Sequence, residues 1–331
     1  MITTTNLEKH FADAMRSIAR RSDLKAYVEQ TPVIYQLLQR AAAKYVTGEN
    51  RQDGLEAGRK LADKGYAVSL EYIGENTTDI QACEHAALEL TMLIRALAAH
   101  GIPARVSFDL SHIGLSIDGE LAYKNLTSIA VLARQADVEL VVSMEESDKT
   151  DAILAIYTRA SAVYANIGIT LQAQLNRTAQ DLDELGSIPR RIRFVKGAYQ
   201  EPGQLTITRS LALNERYTQL IERAIRKGHH LSIATHDESI IDEVIKRGWI
   251  HEPGVEFEML YGIRPDLCSQ LKKSGYPVRV YLTYGREWYL YLCHRIAEYP
   301  PNVFQAILDM TDAGGADPIQ NYGYTEITTM T

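Results

Sequence analysis

The feature that most constrains the fold is an alternation, from residue 66 onward, between short apolar runs and longer segments of helical period. Eight of these runs have the length of strands and are rich in β-branched residues. The predicted strands are Ala67–Ile73, Ala104–Leu110, Val138–Met144, Gly168–Leu175, Ile192–Val195, Leu231–Thr235, Val255–Leu260 and Val278–Leu282. Their first residues lie 23 to 39 positions apart, which fits a chain of strand–helix units.

The segments between the strands carry helical periodicity and the signals that start and stop helices. Thr78-Asp79-Ile80-Gln81 predicts a capping box that opens a helix ending near Gly101. The other predicted helices are Glu120–Ala136, Thr150–Ala165, Thr178–Leu185, Arg209–Lys227, Glu238–Arg247, Pro265–Lys273 and Glu287–Glu298. This arrangement predicts an α/β fold, a TIM-like (β/α)8 barrel. A doubly wound sheet is the competing fold, but no GxGxxG motif follows the first strand.

Two flanking segments complete the predicted organisation. Residues 1–62 show no strand signal and predict an N-terminal helical arm, in which Gly48 is expected to stop the helix that carries Ile34. The barrel itself is predicted over residues 63–311. Residues 312–331 predict a C-terminal tail that is either mobile or docked on the rest of the chain.

Composition and charge narrow the class of protein. The net charge of −7 argues against a nucleic-acid partner, because phosphates bind basic faces. Cys83, Cys268 and Cys293 show no CxxC spacing, which suits a reducing compartment. No apolar run reaches the roughly 18 residues of a membrane span. We therefore expect a cytoplasmic protein without an integral membrane segment, and leave peripheral contact with a membrane open.

The fifth predicted strand ends in an unusual group of charged residues. Arg193 interrupts the apolar run Ile192–Val195, and Lys196 and Gly197 follow directly. A buried guanidinium needs an anionic or polar partner, so the pattern predicts either a ligand contact or a salt bridge inside the barrel. Lys196 is also a candidate for a Schiff base, a chemistry that barrel enzymes can use.

His236 lies at the next strand end, where a single histidine is more often a structural or cofactor contact than a base. No spacing of His, Cys or carboxylate residues requires a metal, and we expect none. A grouping of Glu145 and Glu146 with His236 is the remaining metal alternative.

The last predicted helix carries a polar face. Tyr291, His294, Arg295 and Glu298 recur at helical spacing and therefore share that face. Such spacing usually indicates a solvated charged stripe. The alternative is an aromatic-walled cation site over the mouth of the barrel, formed by Arg295 and Tyr291.

Several segments, taken in order, resemble the proline dehydrogenase family. Arg193–Tyr199 resembles that family's R-x-V-K-G-A-Y signature. The other matching segments are Leu110–Leu115, Leu171–Ala173, Ala234–His236, Phe257–Ile263, Val278–Tyr281 with Gly285, and Tyr291–Glu298. The resemblance spans roughly residues 66 to 305, and several ordered motifs are far more specific than any one of them.

The resemblance implies a flavoprotein that holds FAD non-covalently and oxidises proline to pyrroline-5-carboxylate by hydride transfer to flavin N5. Electrons would then pass to a quinone, another acceptor or oxygen. The implied cofactor-binding residues are Met144, Gln172, Arg193, Val195, Lys196, Gly197, Thr235, His236 and Glu258. The implied substrate-binding residues are Asp109, Ser143, Phe194, Tyr281, Tyr291, His294, Arg295 and Glu298. Arg193, Asp109 and Tyr281 form the expected catalytic set.

Three positions depart from the family pattern within the network that binds the substrate carboxylate. The family usually has Lys where this chain has Asp109, Asp where it has Ser143, and Arg where it has His294. Each lost charge-assisted hydrogen bond costs about 1.5–3 kcal/mol. We therefore predict altered substrate preference, for a proline-like or other amine whose carboxylate is absent, masked or bound differently. Asp109 would bind a cationic amine or act as a base that deprotonates it.

Three other functions remain open from the sequence. One is a genuine L-proline dehydrogenase of proline catabolism, and another is a Schiff-base barrel lyase that uses Lys196. The third is a non-catalytic flavin-binding barrel. The retained flavin-facing residues, among them Gln172, Arg193 and His236, argue against the last two.

Overall fold

The sheet of this protein is a closed barrel of parallel strands. The computed structural model describes residues 4–19, 21–300, 302–311 and 317–323. The strands are β1 (Ala67–Tyr72), β2 (Ala104–Phe108), β3 (Leu140–Val142), β4 (Ile167–Gln172), β5 (Arg191–Val195), β6 (His230–Ala234), β7 (Val255–Leu260) and β8 (Val278–Tyr284). Each strand pairs with the next in chain order, and β8 pairs with β1. The predicted (β/α)8 barrel is therefore confirmed.

Helices precede the first strand, follow each strand and extend beyond the last. The helices before the barrel are α1 (Thr4–Ala19), α2 (Ser22–Gln30), α3 (Pro32–Ala42) and α4 (Arg51–Asp63). Those from β1 onward are α5 (Ile80–His100), α6 (Gly119–Gln135), α7 (Thr150–Ser161), α8 (Thr178–Glu184), α9 (Leu211–Arg226), α10 (Glu238–Lys246), α11 (Pro265–Lys273), α12 (Trp288–Glu298) and α13 (Asn302–Thr311). In the described ranges, no helix combines the length and apolar character needed to cross a membrane.

Two helix ends differ from the sequence prediction. Asp79, not Thr78, caps α5, because its carboxylate accepts a main-chain N–H of the first turn at 2.8 Å. Gly101 ends α5 with a φ of 63°, as its position predicts. The prediction for Gly48 was wrong, since α3 already ends at Ala42.

The barrel interior is filled by polar side chains, although Val, Ile and Leu usually dominate in this fold. Near the amino-terminal ends of the strands, Arg279 Nε lies 2.9 Å from Glu256 Oε1. Arg105 pairs with both Glu256 and Glu139, and Arg191 Nε lies 3.3 Å from Glu139. These buried charges satisfy one another and close the lower end of the barrel. Free space is thereby confined to the opposite end.

The apolar strand residues point outward and pack against the helices. Successive side chains of a strand face opposite sides, so the polar interior set and the apolar outer set alternate. Leu70, Phe108 and Phe257 are fully buried members of the main core between the barrel wall and the helices. α4 joins this core through Leu55 and Leu61.

The first three helices belong to a second apolar cluster beside the barrel mouth. This cluster joins Ala41 of α3 to Trp288 and Leu292 of α12. Lys25 on α2 also pairs with Glu287 at 2.6 Å, next to the start of α12. The division into 1–62, 63–311 and 312–331 stays a prediction.

Part of the predicted C-terminal tail docks on the barrel. Tyr322 is buried, its ring stacks on Tyr261, and its hydroxyl accepts the Gly262 N–H at 2.9 Å. Residues 312–316 and 324–331 lie outside the described residues.

Candidate active site

A cavity of about 480 Å³ lies at the carboxyl ends of the strands, where the barrel fold places active sites. Side chains from all eight strands or the loops that follow them reach it, together with one face of α12. The predicted residues that line it are Asp109, Ser143, Met144, Gln172, Arg193, Val195, Lys196, Gly197, Thr235, His236, Glu258, Tyr281, Tyr291, His294, Arg295 and Glu298. The structure thus brings together all of the predicted site residues except Phe194. The individual roles of these residues stay predictions.

Phe194 is the exception, and its placement among the substrate-binding residues is corrected here. Its neighbours Arg193 and Val195 line the cavity, so alternation along β5 turns Phe194 to the other side. There it is fully buried, with its ring 6.3 Å from that of Tyr217 on α9. Phe194 therefore belongs to the apolar core.

Arg193 lies at the floor of the cavity in a complete set of partners. Its Nε lies 3.1 Å from Glu258 Oε2, and its Nη2 donates to Ser107 Oγ at 2.5 Å. Its Cζ also lies 4.6 Å from the ring centre of Tyr281. Burial acts to lower the pKa of Arg193. The negative groups nearby, Glu258, Tyr281 and Glu71, raise this pKa by more than burial lowers it, so the guanidinium stays charged. The sequence left a salt bridge and a ligand contact as alternatives for Arg193. The salt bridge to Glu258 is present, and the same side chain lines the cavity, so the two are compatible.

The loop after β5 is held by a second ion pair. Lys196 Nζ pairs with Asp237, whose carboxylate also accepts from Asn214 Nδ2 at 3.1 Å. The pKa of Asp237 is lowered because hydrogen bonds from Lys196 and Ser239 outweigh the opposing effect of its burial. A lysine held in this way is poorly placed to act as a neutral amine nucleophile, which argues against the Schiff-base alternative.

His236 is a neutral ring with a defined tautomer. Its Nε2 accepts the main-chain N–H of Leu260 at 3.0 Å, so the proton resides on Nδ1. Burial, together with the positive charge of Arg295, lowers the pKa of His236 to about 4. At neutral pH this residue offers the site an N–H donor without positive charge.

α12 contributes an arginine whose charge is already matched. Arg295 Nη1 lies 2.8 Å from Glu298 Oε2, and its Nη2 donates to Glu298 Oε1 at 3.0 Å. Its Cζ lies 4.8 Å from the ring centre of Tyr291. Arg295 is only 8% exposed, so this helix face is not a solvated stripe, while its role as an aromatic-walled site stays a prediction.

Three carboxyl side chains of the lining come from β1, from the loop after it and from the residue that follows β2, and we call these three, Glu71, Glu75 and Asp109, the acidic wall. Burial raises the pKa of Asp109 well above its ordinary value, and the negative charges of Glu145, Glu71 and Glu75 add to this effect. Ser143 donates a hydrogen bond that opposes it. Burial, aided by neighbouring glutamates, also raises the pKa of Glu75 to about 7.

The sequence analysis did not name several of the lining residues as site residues, among them Tyr199, Arg209 and Leu290. Tyr199 donates to Glu75 Oε2 at 3.4 Å, and Arg209 Nη2 donates to the Gly197 carbonyl at 3.2 Å. Leu290 adds an apolar contact surface. Tyr199 was within the matched motif, whereas Arg209, just before α9, and Leu290, within α12, carry no sequence signal of a site.

The alternative metal site, with Glu145, Glu146 and His236 as ligands, does not form among the described residues. Across the described part of the chain, no three His, Cys, Asp or Glu side chains are grouped as a metal would require. Glu145 instead accepts the Ser111 N–H at 3.0 Å and pairs with Lys149 at the same distance.

Taken together, a parallel α/β barrel with buried ion pairs, a neutral histidine donor and free cavity space at its mouth defines a barrel enzyme that binds a polar cofactor. Comparison with known proteins identifies the family to which this enzyme belongs. The sequence model of the family described as proline dehydrogenase matches residues 54–302. The chain belongs to the proline dehydrogenase family.

Two relatives and one solved structure illustrate the similarity. Proline dehydrogenase 2 of Bacillus subtilis (strain 168) is 32% identical over 274 residues, covering 82% of this chain and 90% of the relative. Proline dehydrogenase of Deinococcus radiodurans is 35% identical over 304 residues, covering 89% and 96%. The fold resembles proline utilization A of Bdellovibrio bacteriovorus inactivated by N-propargylglycine, with a TM-score of 0.75, 18% identity, and coverage of 97% of this chain and 40% of that one.

Members of this family are FAD-dependent oxidoreductases that act on the CH–NH bond of proline, and flavin-dependent oxidation at such a bond is the activity of this chain. The residues present fit FAD. Lys196, Arg209, Thr235 and His236 are donors suited to phosphate and carbonyl oxygens. Gly197 has a φ of 117°, and a Cβ there would come within 2.2 Å of the neighbouring glutamine side chain.

Proposed function

We propose that this enzyme oxidises the C–N bond of a proline-like amine to an imine and has lost the family's preference for a free substrate carboxylate. The supporting observation is the charge of the lining. Asp109 adds a carboxyl to the cavity, and both terminal nitrogens of Arg295 are held by Glu298. A substrate carboxylate would meet an acid and a cation that already has a carboxylate partner.

The chain's own residues account for the rest of the reaction. FAD, when bound, supplies the acceptor for the hydride that leaves the C–H bond. Arg193, kept charged by its surroundings, provides a fixed cation at the cavity floor that stabilises developing negative charge. The N–H proton needs a base, and Asp109, whose pKa burial and neighbouring carboxylates raise well above its ordinary value, is the proposed acceptor. Tyr281 lies between Arg193 and Glu71 and holds both in place.

Steady-state turnover of L-proline with an artificial electron acceptor tests this proposal. We expect a KM far above the millimolar range for the wild type. The triple variant Asp109→Lys, Ser143→Asp, His294→Arg should raise kcat/KM for L-proline by about a hundredfold or more, as two restored charge-assisted bonds of about 1.5–3 kcal/mol each predict. Flavin absorption and its reduction by dithionite serve as the control for an intact cofactor site.

A genuine L-proline dehydrogenase is the second candidate, supported by relatives named as proline dehydrogenases at 32% and 35% identity. Efficient turnover of L-proline by the wild type, at micromolar to low-millimolar KM, would establish it and overturn the altered preference. The electron acceptor, whether a quinone, another acceptor or oxygen, would be identified by reoxidation rates of the reduced protein.

A further inference from the structure

Two glutamine side chains at the end of β4 form a chain of hydrogen bonds beside the cavity. Gln172 is the last residue of β4 and lines the cavity, and Gln174 follows two positions later. Gln174 Nε2 donates to Gln172 Oε1 at 3.1 Å and to the Tyr199 carbonyl at 3.2 Å. Gln172 Nε2 donates in turn to the Glu145 carbonyl at 2.7 Å. The two glutamines are only 2% and 8% exposed, so water does not compete for these bonds.

The two ends of this chain fix the direction of both amides. Main-chain carbonyls accept hydrogen bonds and cannot donate them, so Gln174 must turn its nitrogen towards Tyr199, and Gln172 must turn its nitrogen towards Glu145. The second N–H of Gln174 then meets Gln172 Oε1. A flipped Gln172 amide would set its NH2 group against that of Gln174 and its oxygen against the Glu145 carbonyl. Gln174 therefore holds Gln172 in one orientation.

The fixed orientation determines what Gln172 offers to the cavity. An amide nitrogen carries two N–H groups, and Gln172 gives one of them to the Glu145 carbonyl. The other can be donated to a ligand in the cavity that this side chain lines. The isoalloxazine ring of FAD presents carbonyl oxygens and ring nitrogens that accept hydrogen bonds. A fixed donor at such an atom stabilises the negative charge that reduction places on the ring.

Gln174 is held in place by the protein itself. Its main-chain N–H donates to the Lys196 carbonyl at 2.9 Å, and its carbonyl accepts the Ile207 N–H at 2.8 Å. Gly197 leaves room for the side chain, because a Cβ at that position would come within 2.2 Å of Gln174 Cδ. These contacts join Gln174 to both ends of the loop between β5 and α9. The donor that orients Gln172 is thus set before a ligand binds.

We infer that Gln174 is a positioning residue for the flavin: it holds the Gln172 amide as a hydrogen-bond donor to the isoalloxazine ring and thereby raises the reduction potential of bound FAD. Gln174 acts through Gln172 and needs no contact of its own with the cofactor. The inference rests only on the flavin-dependent part of the proposed function. It does not depend on which amine is oxidised, so a failure of the proposed substrate preference leaves it standing.

The reduction equilibrium of the bound flavin, measured in the holoenzyme against a redox dye, tests the inference without an amine substrate. Gln174→Met keeps the length of the side chain but cannot donate, so it frees the Gln172 amide to flip. We expect the equilibrium constant for flavin reduction to fall about tenfold, which is about 30 mV for a two-electron couple. Gln172→Met removes the donor and should cause at least the same fall. In that background, Gln174→Met should add little further change.

Asn176→Leu is the matched control, because Asn176 is exposed, donates to the Gln204 carbonyl of the same loop at 3.0 Å and does not line the cavity. It should keep the wild-type equilibrium constant. Gln174→Asn is a second test variant, since its amide is one methylene too short to reach Gln172, and it should behave as Gln174→Met does.

An equilibrium constant unchanged from the wild type in the Gln174 variants would overturn the inference. So would a full additive fall in the double variant with Gln172→Met, because Gln174 would then act independently of Gln172. If both Gln174 variants keep the circular dichroism of the wild type but lose FAD, Gln174 serves to hold the loop, and the inference is likewise overturned.

Discussion

At the scale of single residues, the site is built from buried charges whose partners are supplied by other strands. Arg193 on β5 meets Glu258 on β7 and Ser107 on β2, and Glu258 also accepts from Ser69 on β1 at 2.8 Å. Taking such groups out of water is costly unless every polar atom is satisfied. The network meets that condition and holds a cation at a fixed place on the cavity floor.

Glu75 gives a prediction for the pH dependence of stability. Its pKa is raised from 4.5 to about 7 in the folded protein, chiefly by burial and then by Glu146 and Glu145. The folded state therefore holds a proton that the unfolded state has released, so stability falls as pH rises from 4.5 to about 7. Glu75→Gln should remove about 1–2 kcal/mol of this fall, measured by urea unfolding across that range.

The control for this experiment is Glu120→Gln on α6, a carboxylate that is 71% exposed. Its unfolding free energy should change with pH as in the wild type. A slope in Glu75→Gln equal to that of the wild type would contradict the assignment.

At the scale of elements, the loop between β5 and α9 carries much of the site and is tied down at several points. Arg209 holds the Gly197 carbonyl, and Tyr199 reaches Glu75. Glu201 accepts the Ser147 N–H from the loop after β3 at 2.9 Å. These contacts shape one wall of the cavity from a segment that is largely irregular and carries a short 3-10 helix at Gly203–Leu205.

Gly197→Ala tests the importance of that loop's backbone. The position has a φ of 117°, and the added Cβ would come within 2.2 Å of Gln174. The loop must shift, and we expect at least a tenfold loss of FAD affinity, measured by flavin retention and by fluorescence titration of the apoprotein.

Gly203→Ala is the matched control in the same loop, because a Cβ there meets nothing within 4 Å. It should bind FAD as the wild type does. Equal affinity in the two variants would show that the Gly197 backbone does not shape the cofactor site.

At the scale of the whole molecule, two separate apolar clusters hold different walls of the cavity in place. The main core fixes the strands, while the second cluster fixes α12, which carries Tyr291 and Arg295. α12 is packed against helices from the start of the chain, including α1 and α3. The distant amino terminus therefore supports one wall of the substrate cavity.

Leu292→Ala tests whether the second cluster supports the cavity independently of the main core. Leu292 is 2% exposed in the second cluster, and its truncation should cost about 2–5 kcal/mol of unfolding free energy. It should also raise the substrate KM several-fold while flavin absorption is retained, since α12 loosens. Leu90→Ala in the main core should cost a similar amount of stability without a matching rise in KM.

The sequence alone predicted the number and order of the eight strands and of the helices that follow them, because apolar periodicity is a local property of the chain. It did not divide the N-terminal arm into its helices and did not predict α13. It also indicated most of the cavity lining, since strand ends of a parallel barrel must meet at one edge. It could not place Asp79 rather than Thr78 as the cap of α5, since adjacent residues offered equivalent capping oxygens.

Only the tertiary structure decided which charges neutralise each other. Arg193 and Glu258 are 65 positions apart, and Lys149 pairs with both Glu145 and Glu146. The tertiary structure also shows that Phe194 faces away from the cavity and that the first three helices pack against α12. These features depend on distances between residues remote in sequence, and electrostatic energy follows those distances rather than residue type.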